Sequence, residues 1–249
     1  SSNIDKMLEP LEQLKEKYKD NKEKFRFISN GYNGIQNWGA YANLEDVTGY
    51  HPAKLKNYAQ FEPYLNTNIG RNLFRILNVK KIINWNDNWE ISSTKQILDP
   101  LDRIFFIDKL INYTKDEELL IAMNSDKFNA KKLSYTKSNI PKFQKSNSNS
   151  KAIIKNWSPN KIIIETDLES ANFIGLSEVY YPNWEITNHN IEIIQINGLL
   201  RGFMAPKGMN TIIMEFNYND VKYASYISFL SFFIMLSIIL SSVYLNKKP

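Results

Sequence analysis

The 249 residues contain no cysteine. That excludes disulfides, thiolate metal sites and a cysteine nucleophile. Histidine occurs twice, at His51 and His189, so a multi-histidine metal site cannot form. Arginine is confined to positions 26, 71, 75, 103 and 201. The net charge of +5 therefore comes mainly from lysines, which are scattered among Asn and Ile. No arginine cluster and no basic-aromatic stripe appears, so nucleic acid is not read as a partner. A chain held at an anionic membrane tolerates such charge. Phosphate-cradling glycine loops are missing too: there is no GxxxxGK[ST], and no GxGxxG between a strand and a helix. Residues 1–24 are polar and charged, without the apolar run of a secretion signal.

One long apolar run is present. Residues 224–245, ASYISFLSFFIMLSIILSSVYL, carry no charge. About 20 apolar residues at ~1.5 Å each cross the ~30 Å hydrocarbon core. Only a helix or a closed barrel satisfies the backbone there. Tyr226 and Tyr244 stand near its ends, where aromatic rings favour the headgroup level. Lys247 and Lys248 follow at once. By the positive-inside rule they put the C-terminus in the cytoplasm and the bulk of the chain outside. The serines of this run suit close packing against other helices. An exported bulk without its own signal fits the C-terminal piece of a longer membrane protein, carried across by earlier spans.

The rest divides in two. Over residues 4–24, Ile4, Leu8, Leu11, Leu14 and Tyr18 fall at helical spacing, with Pro10 suggesting a start near Glu9. Residues 25–28 alternate as a strand. Residues 29–50 are rich in Gly and Asn and carry Tyr32, Trp38, Tyr41 and Tyr50. Helices are expected from Pro52 to Tyr64 and over 70–77, a strand over 79–84, and a polar loop over 85–94. A strand over 103–108 and a helix over 116–124 follow, then a Ser/Asn/Lys connector over 138–150. From residue 152 to 218 seven short strands come at near-regular spacing. Asn197-Gly198 is a tight hairpin turn. The expected fold class is α+β: a mixed α/β part over 1–100, then an antiparallel, jelly-roll-like β-sandwich over 101–220 with an inserted helix, then one transmembrane helix over 224–245.

Several segments in order are more specific. They are Glu178-Val-Tyr-Tyr-Pro-Asn-Trp184, Asn197-Gly-Leu-Leu-Arg-Gly202, Ala205-Pro-Lys-Gly208 and Met214-Glu-Phe-Asn-Tyr218, followed directly by the apolar helix. Earlier come Gly49-Tyr-His-Pro-Ala-Lys-Leu55, Leu77-Asn-Val-Lys-Lys-Ile-Ile83 and Arg103-Ile-Phe-Phe-Ile107. This series resembles the C-terminal part of the bacterial YfhO-type membrane protein family over residues 25–245. Asn183 stands where that family usually has Gly, and Asn188-His189-Asn190 where it has an Asp-Gly turn. Asn tolerates the same left-handed backbone. The resemblance implies a polytopic, GT-C-like glycosyltransferase of the cell envelope that draws on a polyprenyl-phosphate sugar and sits in the bacterial cytoplasmic membrane. Its acidic catalytic residues would lie in an early outer loop outside this sequence. No catalytic residue and no metal ligand is therefore carried over, and no cofactor is expected within this piece.

Binding candidates follow from residue chemistry. Trp38 and Tyr41 in the glycine-rich loop, and Tyr180, Tyr181 and Trp184 in a turn, offer faces for sugar rings; the same residues also suit ordinary packing. Arg201 can hold a phosphate or carboxylate through two donors, or pair structurally with Glu178 or Glu185. His51 can contact a ligand or serve a helix start. The implied partners are the bilayer, upstream helices of the same protein and an envelope glycan acceptor. The alternative is a non-catalytic, membrane-anchored module for glycan binding or envelope assembly.

Overall fold

A computed structural model gives the structure of the chain and describes residues 3–19, 25–31, 37–47, 55–147 and 149–245. The first helix, α1, is Asn3–Tyr18, with Pro10 inside it rather than before it. Proline removes one amide donor. Burial of Leu11 and Leu14 in a cluster with Phe27, Trp38, Ile83 and Trp85 holds the helix across that gap. Next come β1 (Arg26–Asn30), α2 (Trp38–Tyr41), β2 (Glu45–Asp46), α3 (Lys56–Ala59) and a 3₁₀ turn, Glu62–Tyr64. Then follow α4 (Asn68–Ile76), β3 (Val79–Trp85) and β4 (Ile91–Gln96). The corner between the 3₁₀ turn and α4 is tight. A Cβ on Gly70 would stand 2.1 Å from the Leu65 carbonyl oxygen.

These strands form a sheet in the order β2-β1-β3-β4. β1 runs parallel to β2 and β3, and β4 is antiparallel to β3. The expected loop over 85–94 thus contains the start of β4. That strand, Ile-Ser-Ser-Thr-Lys-Gln, is an edge strand exposed along nearly its whole length. Backbone bonds hold it, so it shows no hydrophobic alternation to read.

The chain continues with β5 (Ile104–Ile107), β6 (Leu110–Asn112), α5 (Asp116–Met123) and β7 (Ser134–Thr136), the short β6 and β7 pairing in parallel. The remaining strands are β8 (Lys151–Ser158), β9 (Lys161–Leu168), β10 (Asn172–Val179), β11 (Trp184–Ile186), β12 (Ile193–Ile196), β13 (Leu200–Ala205) and β14 (Gly208–Phe216). They build two antiparallel sheets, β12-β13-β10-β5 and β11-β14-β9-β8, which face each other across a cluster including Ile164, Ile174, Leu176, Phe203, Ile212 and Met214. β8 and β9 form a hairpin within one sheet. At the β12–β13 turn, Asn197 and Gly198 both have positive φ, 50° and 68°, as a type I′ turn needs.

The β12-β13-β10-β5 sheet is buried on both faces. Its other side meets α4, α5 and β3 through Leu73, Ile76, Val79, Leu119, Phe173, Ile196 and Leu200. β10 accordingly reads as a near-continuous buried run rather than an alternation. Gly175 and Gly202 sit opposite each other here. A Cβ on either would meet a phenyl ring, of Phe105 or Phe173, at 2.6 Å.

Last comes α6, Asn219–Leu245. Its Asn219–Ser241 part is long and apolar enough to cross a membrane, and none of it is buried against the rest of the protein. At ~1.5 Å per residue the helix is about 40 Å long. Burying its Phe, Leu and Ile side chains requires lipid or other helices. The protein is thus α+β and β-rich, with a single candidate membrane helix among the described residues.

Candidate functional site

Strand registers show what lies near the start of α6. Phe216, the last residue of β14, pairs with Trp184, and only Asn217 and Tyr218 separate it from α6. Across the same sheet Glu215 pairs with Lys161, which pairs with Ser158, so the β8–β9 turn lies at this end too. Asn183 and Asn217 bind each other twice: the Asn217 amide donates to the Asn183 carbonyl at 2.7 Å, and Asn183 Nδ2 donates to the Asn217 carbonyl at 2.9 Å. The 180–184 turn is thereby tied to the base of the helix. Tyr181 and Trp184 lie 5.8 and 5.7 Å from the Phe216 ring.

Arg201 reaches this end from the facing sheet. Its guanidinium carbon is 3.8 Å from the Trp184 ring centroid. Nε donates to the Val179 carbonyl at 2.9 Å, and Nη1 meets Met214 Sδ at 3.7 Å. Arg201 is 5% exposed and Trp184 8%. Burial pushes the Arg201 pKa down to about 10; the charge of Glu178 opposes that shift and the charge of Arg26 adds to it. Of the candidates, Trp184 and Arg201 are therefore brought into contact, but neither offers an open face. Tyr180 packs beside the same cluster, and Tyr181, 42% exposed, faces outward.

Trp38 and Tyr41 are elsewhere. Trp38 is buried, 5.6 Å from Trp85, at the end of β3 remote from Val79. Seven residues of strand put the two ends of β3 about 20 Å apart. Tyr41 donates its hydroxyl to Glu12 at 2.8 Å, and that bond raises its pKa. The two aromatic sets are thus held by separate clusters. His51, Tyr32 and Tyr50 lie outside the described residues.

Beside Arg201, a buried charge network joins the first sheet to the sandwich. Glu178 Oε1 accepts from Arg26 Nη2 at 3.0 Å and from Arg103 Nη1 at 2.8 Å. Glu45 accepts from both arginines as well. Arg26 also donates to the Leu77 and Ser177 carbonyls, and Arg103 Nε to Asn78 Oδ1 at 3.2 Å. Glu178 thus pairs with Arg26 and Arg103 rather than with Arg201. Both carboxylates are engaged by guanidinium groups.

One open feature runs along the edge of the sandwich, with Trp157 at its end nearest α6. Asn78, Asp102, Arg103 and Ile104 on one side and residues 152–157 of β8 on the other line a groove of about 640 Å³. None of these residues stands out as a site by its type or spacing in the sequence. They lie about fifty positions apart in the chain, and only the apposition of the edge strands β5 and β8 brings them together. In the structure the burial alternation of β8 breaks between Ile154 and Asn156.

Among the described residues no group of three or more His, Asp or Glu side chains could hold a metal ion. No protein-family model matches the chain, and neither a curated protein nor a solved structure matches it.

Proposed function

We propose that this chain is the extracytoplasmic C-terminal region of a polytopic bacterial envelope protein of YfhO type, resembling glycosyltransferases that use lipid-linked sugars. In this reading α6 crosses the cytoplasmic membrane with its C-terminus in the cytoplasm. The domain presents an envelope glycan acceptor to a catalytic membrane core built by upstream helices, which would also hold the polyprenyl-phosphate sugar. The observation that carries the reading is the junction. β14 runs into α6 after two residues, so in this reading the β-domain is held against the headgroup layer with the 180–184 turn and the Trp157 end of the β5–β8 groove on its membrane side. Tyr181 and Tyr218, both exposed there, have the amphipathic character favoured at that depth.

The charge arrangement supports a binding role for this piece. Sugar transfer needs a positioned acid or base and charge stabilisation for the leaving phosphate. Glu178, which is buried, and Glu45, which is partly exposed, are both held by arginines, and one helix encloses no groove for a lipid carrier. The purified chain should bind envelope oligosaccharide weakly and transfer no sugar from a polyprenyl-phosphate donor. Turnover by the chain alone would contradict the reading. The same charge arrangement favours, as a second reading, a free-standing glycan-binding or assembly module. Upstream gene sequence separates the two: many preceding spans with an acidic first outer loop support the enzyme, and a lone signal anchor supports the module.

A further inference from the structure

The β5–β8 groove has a composition that the sandwich core lacks. Trp157 forms one wall; it packs against the inter-sheet cluster and also lines the groove. The β-bulge puts it there. Ile154 pairs with Ile164 and Asn156 with Ile163, so Lys155 is the extra residue. One inserted residue reverses the facing of all that follow. Trp157 therefore turns to the side of Ala152 and Ile154. Opposite it, Arg103 and Asn78 form a floor fixed by the bonds to Glu178, Glu45 and the Leu101 carbonyl. Around the rim stand Asp102 and Asn156, both exposed, and Lys155, paired with Glu165 at 3.3 Å. Asp102 faces Lys131 at 3.6 Å.

An indole beside a rigid floor, ringed by a carboxylate, an amide and an ammonium, fits a hexopyranose. The sugar's C–H face stacks on an aromatic ring, and its hydroxyls both donate and accept. The volume falls within the ~300–1,000 Å³ typical of small-ligand sites. An added peptide strand fits less well. The bulge interrupts the ladder that such a strand would extend, and Lys151 and Lys155 are the charges that block edge pairing.

We propose that the β5–β8 groove is a carbohydrate-binding site. It takes one hexopyranoside unit of a glycan chain running along the membrane surface, with Trp157 against the ring and Asp102 and Asn156 bonding its hydroxyls. The proposal rests on the acceptor reading above and names the residues that would hold the acceptor.

Fluorine NMR on the full chain in detergent, labelled with 5-fluorotryptophan, gives five resonances, one per tryptophan. Trp157→Phe identifies its own by deletion. The probes are N-acetylglucosamine, glucose and galactose tetrasaccharides. At least one should shift the Trp157 resonance saturably, at about millimolar concentration, and leave Trp38 and Trp184 in place. Asp102→Asn, at an exposed position, should weaken that response by about tenfold, a loss of ~1.4 kcal/mol. If sugar moves only Trp38 or Trp184, the groove proposal fails while glycan binding by the domain stands. If no probe moves any of the five, groove and acceptor reading fail together. A response to an extended octapeptide but to none of the sugars would assign the groove to strand pairing and overturn the proposal.

Discussion

The guanidinium carbon of Arg201 stands 3.8 Å from the centroid of the Trp184 ring, in a site closed to water on nearly all sides. A desolvated contact of this kind is worth about 2 kcal/mol. It joins the two sheets of the sandwich directly above the point where the chain turns into α6. Arg201 has no carboxylate partner within salt-bridge distance among the described residues, so the indole face and the Val179 carbonyl take that role.

Trp184→Ala should therefore destabilise the domain by ~3–5 kcal/mol, since it leaves a cavity and strips the cover from a buried cation. Arg201→Met keeps the volume and removes the charge, and should be near neutral or stabilising. Chemical unfolding of the full chain in detergent, followed by near-UV circular dichroism, checks both. A near-zero cost for Trp184→Ala would put the ring at the surface.

Glu178 holds two arginines, Arg26 of β1 and Arg103 just before β5. Glu178→Gln should cost ~3–5 kcal/mol, because it leaves two buried cations with only the partly exposed Glu45 as counter-charge. Glu45→Gln should cost clearly less, because Glu45 is about a third exposed. Equal losses for the two would contradict the burial difference on which this ordering rests.

Tyr58 and Tyr113 both have pKa values pushed up to about 12, chiefly by burial, with nearby Asp46 and Glu62 adding to the first and Asp116 to the second. A phenol raised above its unfolded value of about 10 favours the folded state fully below that pH. That contribution fades as the pH rises through about 12. Arg201 acts in the opposite sense, since its pKa is lowered and the unfolded chain holds its proton longer. With two phenols against one guanidinium, stability should fall between pH 10 and 12. Tyr58→Phe with Tyr113→Phe should flatten that fall. Phenolate absorbance near 295 nm provides the check: Tyr58 and Tyr113 should titrate late, recover their ordinary range on unfolding, and drop out of the late phase in the double variant.

Leu236→Arg places a charge in the middle of α6. Insertion costs of about 2.5–3.5 kcal/mol are typical there. Carbonate extraction should release much of the variant from the membrane fraction. Full retention would mean that other elements hold the chain in the bilayer.

Much of the fold was legible because its signals are local. The uncharged run 224–245, Gly198 with its positive φ, and the alternating Ile162, Ile164, Ile212 and Met214 each act through their immediate neighbours. What escaped were elements without a readable side-chain pattern. β4 is polar and exposed, and β6 and β7 are three residues each, so no side-chain period reveals them. The site was harder still. Trp184 and Arg201 stood out by type, but only their mutual burial shows them to be packing partners. Trp157 and Asp102 carry no mark in the sequence, since the groove exists only where two edge strands meet.

The central claim is that this domain stands outside the cytoplasmic membrane on α6. The chain has no cysteine, so a single one can be introduced as a reporter. Met209 is 85% exposed, at the end of the sandwich away from α6. A membrane-impermeant maleimide should label Met209→Cys in intact bacterial cells, and Lys248→Cys only after permeabilisation. Labelling of Met209→Cys solely after permeabilisation would place the domain in the cytoplasm and contradict the account.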